Sequence, residues 1–214
     1  MHVLVMAKAP EPGRVKTRLC PPCDPVEAAA LAEAALVDTC EAVAGCGAQR
    51  KVLALEGEPG CWLPPGFEVI AQRGRTLDER LAHAWIDTGG AGIQIGMDTP
   101  QVTSAALDEA LGSLAAGSKT AVLGPALDGG WWAIGLDHPD PRVFLGLPMS
   151  TPYTGAAQRR RLRALGHRVV ELPTLRDVDH IEDAVAVASE VPGSRFAAAL
   201  AGIARPGELA ARSA

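Results

Sequence analysis

Short apolar runs alternate with segments that carry helix-start signals, and this alternation constrains the fold more than any other feature. Residues 3–6 are an apolar run followed by turn residues, as in a buried strand that opens an α/β domain. After the next loop, Asp24 suits a helix cap, Pro25 suits the first helical position and Glu27 can complete a capping box. Strands alternating with helices imply mostly parallel pairing, with helices on both faces of the sheet.

The pattern repeats along the rest of the chain. Further strands are predicted at 51–55, 67–71, 93–96, 120–123 and 168–172. Further helices are predicted after a second capping box at 76–79, after a cap at Thr103, over 153–165 and from His180 onward. Residues 128–136 break the alternation, because Asp-Gly-Gly before an apolar run is typical of a turn into an added antiparallel strand.

Chain length and composition limit the architecture further. A chain of 214 residues can bury roughly 70% of its unfolded surface as one domain, so a single domain over residues 1–214 is expected. Hydrophobic residues make up 48% of the chain and aromatic residues only 4%, which suits aliphatic helices packed on a sheet. We therefore expect a single-domain, three-layer α/β/α fold with a mostly parallel central sheet and one added antiparallel strand.

Charge and hydropathy exclude several functional classes. The formal net charge of −5 argues against an extended nucleic-acid surface, which needs a clustered excess of Lys and Arg. The sequence has no apolar run near the ~20 residues of a membrane span, and its start turns polar too soon for a signal peptide. We expect a soluble, cytoplasmic protein, while its oligomeric state is left open.

Cysteine usage agrees with a reducing compartment. The chain has 5 cysteines, an odd number without a secretory signal, which is typical of free thiols. Cys20 and Cys23 form a CxxC motif that could be a redox pair or half of a zinc site. The other three cysteines supply no second ligand pair, so neither function is favoured.

The loop after the first strand is the first candidate site. Ligands of parallel α/β sheets collect beyond the carboxyl ends of the strands. This loop carries four cations within a proline-stiffened span, namely Lys8, Arg14, Lys16 and Arg18. Such a loop suits a multiply charged phosphate group. A solvated basic loop is the alternative.

Acidic residues after later strands form a candidate metal site. Asp98 directly follows the fourth strand and would point into the crevice, where Mg²⁺ prefers oxygen ligands shared with substrate phosphates. Asp98 could instead cap the next helix, although Thr103 suits that position better. Asp177 and Asp179 lie two residues apart, hence on one side of an extended segment, and could be a second metal-binding arm. Asp179 could equally cap the following helix.

The turn before the added strand is a further candidate. The paired glycines Gly129 and Gly130 would allow a ligand to approach the backbone closely, and Asp128 supplies an acceptor. A plain turn would also use Asp-Gly-Gly, so the two interpretations remain open here.

Five motifs in order carry a family resemblance over about residues 2–190. They are AKAPEPGRVKTRL, QRGRTLDERL, GMDTP, GPALDGGWWAIGL and LRDVDHIEDA. Together they resemble the GT-A-like nucleotide-diphospho-sugar transferase superfamily, and more narrowly its DUF2064 branch, which is similar to the 2-phospho-lactate guanylyltransferases of coenzyme F420 synthesis. The chain departs from this pattern at Asp78, where the family usually has glycine, and at Trp131, where it commonly has tyrosine.

The resemblance implies a Rossmann-like GT-A fold and a set of site residues. The implied catalytic residues are Lys16, Arg18 and Asp98. The implied nucleotide-binding residues are Ala7, Lys8, Gly13, Arg14, Lys16, Arg18, Gln72 and Gly74. The implied acceptor-binding residues are Asp128, Gly129, Gly130, Ser150 and Thr151. Asp98, Asp177 and Asp179 are the implied ligands of Mg²⁺ or Mn²⁺.

These residues suggest a metal-dependent nucleotidyltransferase that moves NMP from a nucleoside triphosphate to a small phosphorylated acceptor. A glycosyltransferase using a nucleotide sugar is the first alternative, because fold alone does not settle chemistry. A non-catalytic nucleotide-binding protein is the second. The substrates expected are a nucleotide and a small-molecule acceptor, without nucleic acid.

Overall fold

A computed structural model describes residues 1–203 and contains one seven-stranded sheet. The strands are β1 (His2–Lys8), β2 (Arg50–Glu56), β3 (Glu68–Ala71), β4 (Gly92–Gly96), β5 (Thr120–Pro125), β6 (Trp131–Leu136) and β7 (Arg168–Glu171). Their order across the sheet is β3-β2-β1-β4-β6-β5-β7. β6 runs antiparallel to both of its neighbours, and every other pair is parallel. The predicted mostly parallel sheet with one antiparallel strand is confirmed.

Six α-helices accompany the sheet in the described part of the chain. They are α1 (Pro25–Gly45), α2 (Leu77–Thr88), α3 (Ser104–Ala115), α4 (Thr154–Ala164), α5 (Ile181–Glu190) and α6 (Arg195–Gly202). None of them, within residues 1–203, is both long and apolar enough to cross a membrane.

Alternating side chains of the strands bury the two faces of the sheet against different helices. Val3 and Val5 of β1 share a buried cluster with Leu36 of α1 and Leu107 of α3. On the opposite face, Leu4 packs with Ala84 of α2. Helix α4 contributes to that second face as well, in a cluster with β5, β6 and α2. The period of two along each strand thus produces the predicted three layers.

The last two helices pack on the outer side of α1 instead of on the sheet. Leu31 of α1, Val187 of α5 and Phe196 of α6 are almost fully buried in one cluster. Val178 lies in the same cluster and is 1% exposed. This packing fixes the segment just before α5, which carries the predicted acidic pair.

The helix starts agree with the sequence at two of three predicted caps. The Asp24 carboxylate accepts the N–H groups of Val26 and Glu27, and Glu27 accepts the N–H of Asp24, so the capping box is confirmed. The Thr103 hydroxyl accepts the N–H of Ala106, at 3.2 Å. Thr103, not Asp98, therefore caps α3.

The capping box predicted at 76–79 is wrong. Thr76 holds the cap position of α2, but its side chain makes no cap hydrogen bond. The neighbouring Thr76 hydroxyl and the N–H of Gly146 lower the pKa of Asp78. The Glu79 carboxylate reaches past the cap to the N–H of Arg75, at 2.7 Å.

Candidate active site

A cavity of about 830 Å³ opens at the carboxyl ends of β1, β4 and β5. Thirteen of the sixteen residues predicted for the site line it, namely Ala7, Lys8, Arg14, Lys16, Arg18, Gln72, Asp98, Asp128, Gly130, Ser150, Thr151, Asp177 and Asp179. Gly13, Gly74 and Gly129 do not line it. Segments distant in sequence thus meet at the edge of the sheet where such folds bind ligands.

Lys16 lies at the centre of the charged side of this cavity. Its ammonium Nζ is 3.0 Å from Oδ2 of Asp98 and 3.2 Å from Oδ1 of Asp179, and its side chain is only 9% exposed. The other carboxylate oxygen of Asp179 accepts Nη1 of Arg18, at 2.6 Å. Asp179 therefore has two cationic partners, and it does not cap α5.

The α5 start is stabilised by a different carboxylate. Asp183 accepts the N–H of His180, at 3.0 Å. This leaves the Asp179 side chain free to face the cavity. The alternative that Asp179 acts as a helix cap is therefore wrong.

Backbone hydrogen bonds hold the acidic segment against the sheet. The N–H of Leu175 donates to the carbonyl of Pro125, and the N–H of Val178 donates to the carbonyl of Asp98, at 3.1 and 3.0 Å. Val178 is buried, so Asp177 and Asp179 on either side of it turn the other way and both line the cavity. The predicted one-sided placement of the pair follows from this extended geometry.

The electrostatics of the acidic residues differ sharply. Burial and the neighbouring carboxylates of Asp128, Asp179 and Asp98 raise the pKa of Asp177 to about 6. Burial would also raise the pKa of Asp179, but Lys16 and Arg18 hold that pKa below its usual value. Burial would lower the pKa of Lys16, but Asp98 and Asp179 outweigh it and raise that pKa. Within residues 1–203, Asp177 forms no ion pair, unlike Asp98 and Asp179.

The carboxylates leave one buried oxygen without a partner in the described part of the chain. Oδ1 of Asp98 is buried and has no hydrogen-bond partner within residues 1–203, as expected of an oxygen available to a cation. In that same region, no three His, Cys, Asp or Glu side chains are arranged as a complete metal site. Mg²⁺ is usually held by one or two carboxylates together with substrate phosphates, so an incomplete set of hard oxygen ligands fits it.

The Asp-Gly-Gly segment is both a turn and a cavity wall. Asp128 accepts the N–H of Gly130, at 2.7 Å, which supports the plain-turn interpretation. Gly129 has φ of 88°, and a Cβ there would collide with the carbonyl of Pro152. Its own carbonyl accepts the N–H of Gly155, at 2.8 Å. The close approach at Gly129 is therefore to the start of α4, not to a ligand.

The other two glycines outside the cavity also have backbone roles. Gly74 has φ of 129°, and a Cβ there would meet the first turn of α2. Gly13 has φ of 76° in open space. Gln72 lines the cavity, but its amide donates to the carbonyls of Ala7 and Ala54, at 2.8 and 2.9 Å, and so connects strand ends.

The basic loop is paired with acids throughout. Lys8 lies 3.6 Å from Glu56, and Arg14 lies 2.7 Å from Glu11. Together with Lys16 and Arg18, all four predicted cations therefore contact carboxylates within the chain. A solvated basic loop does not describe Lys16, whose ammonium is almost enclosed.

The CxxC motif has the properties of structural thiols. Both cysteines are free, and Cys23 is buried beneath α1. Burial and nearby acids raise the pKa of Cys20, and they raise the pKa of Cys23 to about 11. Such thiols are poor nucleophiles at neutral pH.

Two arginines, Arg80 and Arg176, also line the cavity but were not singled out from the sequence. Arg80 pairs with Glu56, and Arg176 lies 2.9 Å from Asp183. Both arginines lie inside motifs that the sequence analysis identified, QRGRTLDERL and LRDVDHIEDA. Their charge within those motifs was the available signal.

The sheet topology and the similarity to named relatives define the protein as a transferase with a GT-A-like fold. A family described as "Uncharacterized protein conserved in bacteria (DUF2064)" matches residues 27–151. The chain belongs to this DUF2064 family.

Named relatives agree with this class. The chain is 31% identical to a 2-phospho-L-lactate guanylyltransferase of Natrialba magadii, over 87% of this chain and 83% of the relative. It is 26% identical to a proposed nucleotide-diphospho-sugar transferase from Desulfovibrio desulfuricans G20, whose crystal structure is known. The match spans 98% of this chain and 96% of that one, with a TM-score of 0.84. A nucleotidyl transferase from Methanothermobacter shares the fold at 16% identity, with a TM-score of 0.55 over 89% of this chain and 97% of that one.

Proposed function

We propose that the protein is a metal-dependent nucleotidyltransferase that transfers NMP from a nucleoside triphosphate to a small phosphorylated acceptor and releases pyrophosphate. The observation that carries this proposal is the alternation of opposite charges in the cavity, where the buried Lys16 and the exposed Arg18 from the β1 loop face Asp98 and Asp179. The guanylyltransferase named above, at 31% identity, supports nucleotidyl transfer.

The reaction requires little covalent chemistry from the protein. A phosphate oxygen of the acceptor attacks the α-phosphorus, a new P–O bond forms, and the bond to the pyrophosphate oxygen breaks. The attacking oxygen is already anionic, so no strong general base is required. Lys16 and Arg18 would neutralise the charge that accumulates on pyrophosphate as it leaves. The protein acts mainly by positioning and by fixed charge.

Asp98, Asp177 and Asp179 are the proposed ligands of Mg²⁺ or Mn²⁺. Bound there, the ion would supply charge neutralisation at the reacting phosphates. A cation would also offset the cost of ionising Asp177, because burial and the neighbouring carboxylates raise the pKa of Asp177 to about 6. A nearby cation would favour its ionised form.

The acceptor would bind on the side of the cavity formed by the turn before β6 and the start of α4. Asp128, Gly130, Ser150 and Thr151 line this side. The nucleotide would bind on the opposite side, near Ala7, Lys8, Arg14 and Gln72. In this arrangement Gly13, Gly74 and Gly129 shape the backbone without contacting a ligand.

Glycosyl transfer is the second candidate, supported by the Desulfovibrio relative described as a nucleotide-diphospho-sugar transferase. It would use a nucleotide sugar and release a nucleoside diphosphate. A binding protein without turnover is a weaker candidate, because nucleotide binding alone does not require so many carboxylates.

Product analysis distinguishes these functions. We would incubate the protein with each NTP, UDP-glucose or GDP-mannose, with and without Mg²⁺ or Mn²⁺, in the presence of 2-phospholactate and a panel of other small phosphorylated acids. Metal-dependent pyrophosphate release with one NTP, lost in Asp98→Asn, is expected. Release of a nucleoside diphosphate from a nucleotide sugar would replace this proposal with glycosyl transfer.

A further inference from the structure

The ammonium of Lys16 lies between two of the carboxylates that would bind a metal ion. We propose that Lys16 is a built-in competitor of the divalent cation, holding Asp98 in the nucleotide-free protein and releasing it when nucleotide phosphates attract the ammonium. This inference rests on the proposed function, because it concerns the same cavity and states that nucleotide binding there promotes metal binding.

The contact geometry opposes simultaneous binding of a divalent cation between the same two carboxylates. One nitrogen is 3.0 Å from Asp98 and 3.2 Å from Asp179, so it occupies the place between the two carboxylates that a bridging cation would take. The Lys16 side chain is 9% exposed, so water screens its charge poorly. A divalent ion entering beside it would meet a like charge in a poorly screened site.

The two carboxylates would respond differently if Lys16 moved. Asp179 would keep Arg18, whose guanidinium is 2.6 Å from its second oxygen. Asp98 forms no other ion pair within residues 1–203, and its Oδ1 is already buried without a hydrogen-bond partner. Departure of Lys16 would therefore leave Asp98 as a partly buried carboxylate without an ion-pair partner, and its shielded Oδ1 would favour a cation.

The local backbone places Lys16 where it could exchange partners. Lys16 has φ of 48° and ψ of 38°. This left-handed backbone conformation is uncommon for residues other than glycine and is often found at functional positions. Its side chain lines the same cavity as Lys8, Arg14 and Arg18. A triphosphate bound among these cations would offer the flexible lysine stem a second anionic partner.

A metal titration without nucleotide tests this competition directly. Mn²⁺ binding would be measured by the loss of the free-ion EPR signal in wild type, Lys16→Met and Arg18→Met. Methionine keeps much of the lysine length while removing its charge. Lys16→Met should bind Mn²⁺ at least about tenfold more tightly than wild type, within the range of typical coupling between sites.

Arg18→Met is the matched control for a general change in charge. Arg18 contacts Asp179 but not Asp98, and its side chain is 62% exposed. Its removal should change Mn²⁺ affinity less than about threefold, because a solvated charge is screened. The double variant Lys16→Met with Asp98→Asn should lose the gain in Mn²⁺ affinity. That loss would locate the gain at Asp98.

Equal or weaker Mn²⁺ binding by a folded Lys16→Met protein would overturn the inference, and so would an equal gain in Arg18→Met. Circular dichroism establishes folding, and Lys16→Gln replaces Lys16→Met should the methionine variant not fold. The titration needs no turnover, so its outcome is separate from that of the product assay. If the product assay gives no product but Lys16→Met binds Mn²⁺ tenfold more tightly, the proposed reaction is rejected, and the competition between Lys16 and the cation is retained.

Discussion

At the residue scale, the ionised carboxylate of Asp177 destabilises the folded protein. It lies near Asp128, Asp179 and Asp98, and within the described residues it forms no ion pair. Burial and these like charges raise its pKa from 3.8 to about 6. An acid whose pKa is raised on folding is most favourable while protonated, so its ionisation opposes folding.

This shift predicts a pH-dependent gain in stability for Asp177→Asn. The contribution of Asp177 is fully present below about pH 4, and it is lost as the pH rises through about 6. Two pKa units correspond to about 3 kcal/mol, and because Asp177 is partly exposed, solvent screening reduces the effect to on the order of 1 kcal/mol. Urea unfolding in EDTA should show Asp177→Asn more stable than wild type at pH 8, with the difference vanishing near pH 4.

The exposed carboxylate of Glu33 on α1 supplies a control, because Glu33→Gln removes a charge away from the cavity. Glu33→Gln should not reproduce the gain in stability at pH 8. An Asp177→Asn protein that is no more stable than wild type at pH 8 would show that Asp177 carries no such cost. Mn²⁺ should stabilise wild type more than Asp177→Asn at pH 8.

Site residues were predictable from the sequence to different degrees. Lys16 and Asp98 each follow a strand, so their placement at the carboxyl edge could be inferred from local pattern. The pairing of Lys16 with Asp179 could not, since these residues are 163 positions apart in the chain and meet only through the packing of α5 and α6 on α1. The role of the paired glycines could not be predicted, because close approach of a ligand and close approach of a neighbouring backbone both require a residue without Cβ.

At the scale of elements, the contact between the β6 turn and α4 determines one wall of the cavity. Gly129 accepts the N–H of Gly155 at the start of α4, and Pro152 leaves no space for a Cβ at Gly129. Ser150 and Thr151 lie on the loop that leads into this contact and line the cavity. Displacing α4 should therefore move these two residues.

Gly129→Ala should destabilise the protein by about 1–3 kcal/mol, because it adds backbone strain and a collision with a carbonyl. It should also raise the KM for the acceptor more than the KM for NTP. Gly146→Ala is the matched control, since Gly146 has φ of 73° but no atom within 4 Å of an added Cβ. Equal destabilisation by both substitutions would mean that the collision at Gly129 is relieved without cost.

Helix starts show why element boundaries were only partly predictable. Asp24 and Thr76 both precede a suitable acidic residue, yet only Asp24 forms the capping box. At Thr76 the acidic residues have other partners, because Glu79 accepts the N–H of Arg75 and Asp78 accepts the N–H of Gly146. A local motif cannot reveal a competitor that bonds to a loop far along the chain.

At the scale of the whole molecule, the sheet brings three separate segments to one cavity. β1 and β4 are neighbours, and they carry Lys16 and Asp98 in the loops that follow them. The 177–179 segment reaches the same point because α5 and α6 pack outside α1. A ligand that contacts all three segments would stabilise the folded chain as a unit, and the gain follows from ligand concentration and affinity.

Thermal unfolding should therefore respond cooperatively to nucleotide and metal. At a hundredfold excess over Kd, binding adds about 2.7 kcal/mol, or roughly 5–10 °C in Tm for a chain of this size. In wild type, the preferred NTP with Mn²⁺ should raise Tm by more than the sum of the two separate shifts, because nucleotide must draw Lys16 from Asp98 before the ion binds well.

The corresponding NMP lacks the distal phosphates and should give little cooperativity. In Lys16→Met, Mn²⁺ alone should raise Tm, and the excess over additivity should shrink. Strictly additive shifts in wild type would mean that nucleotide and metal bind independently of Lys16.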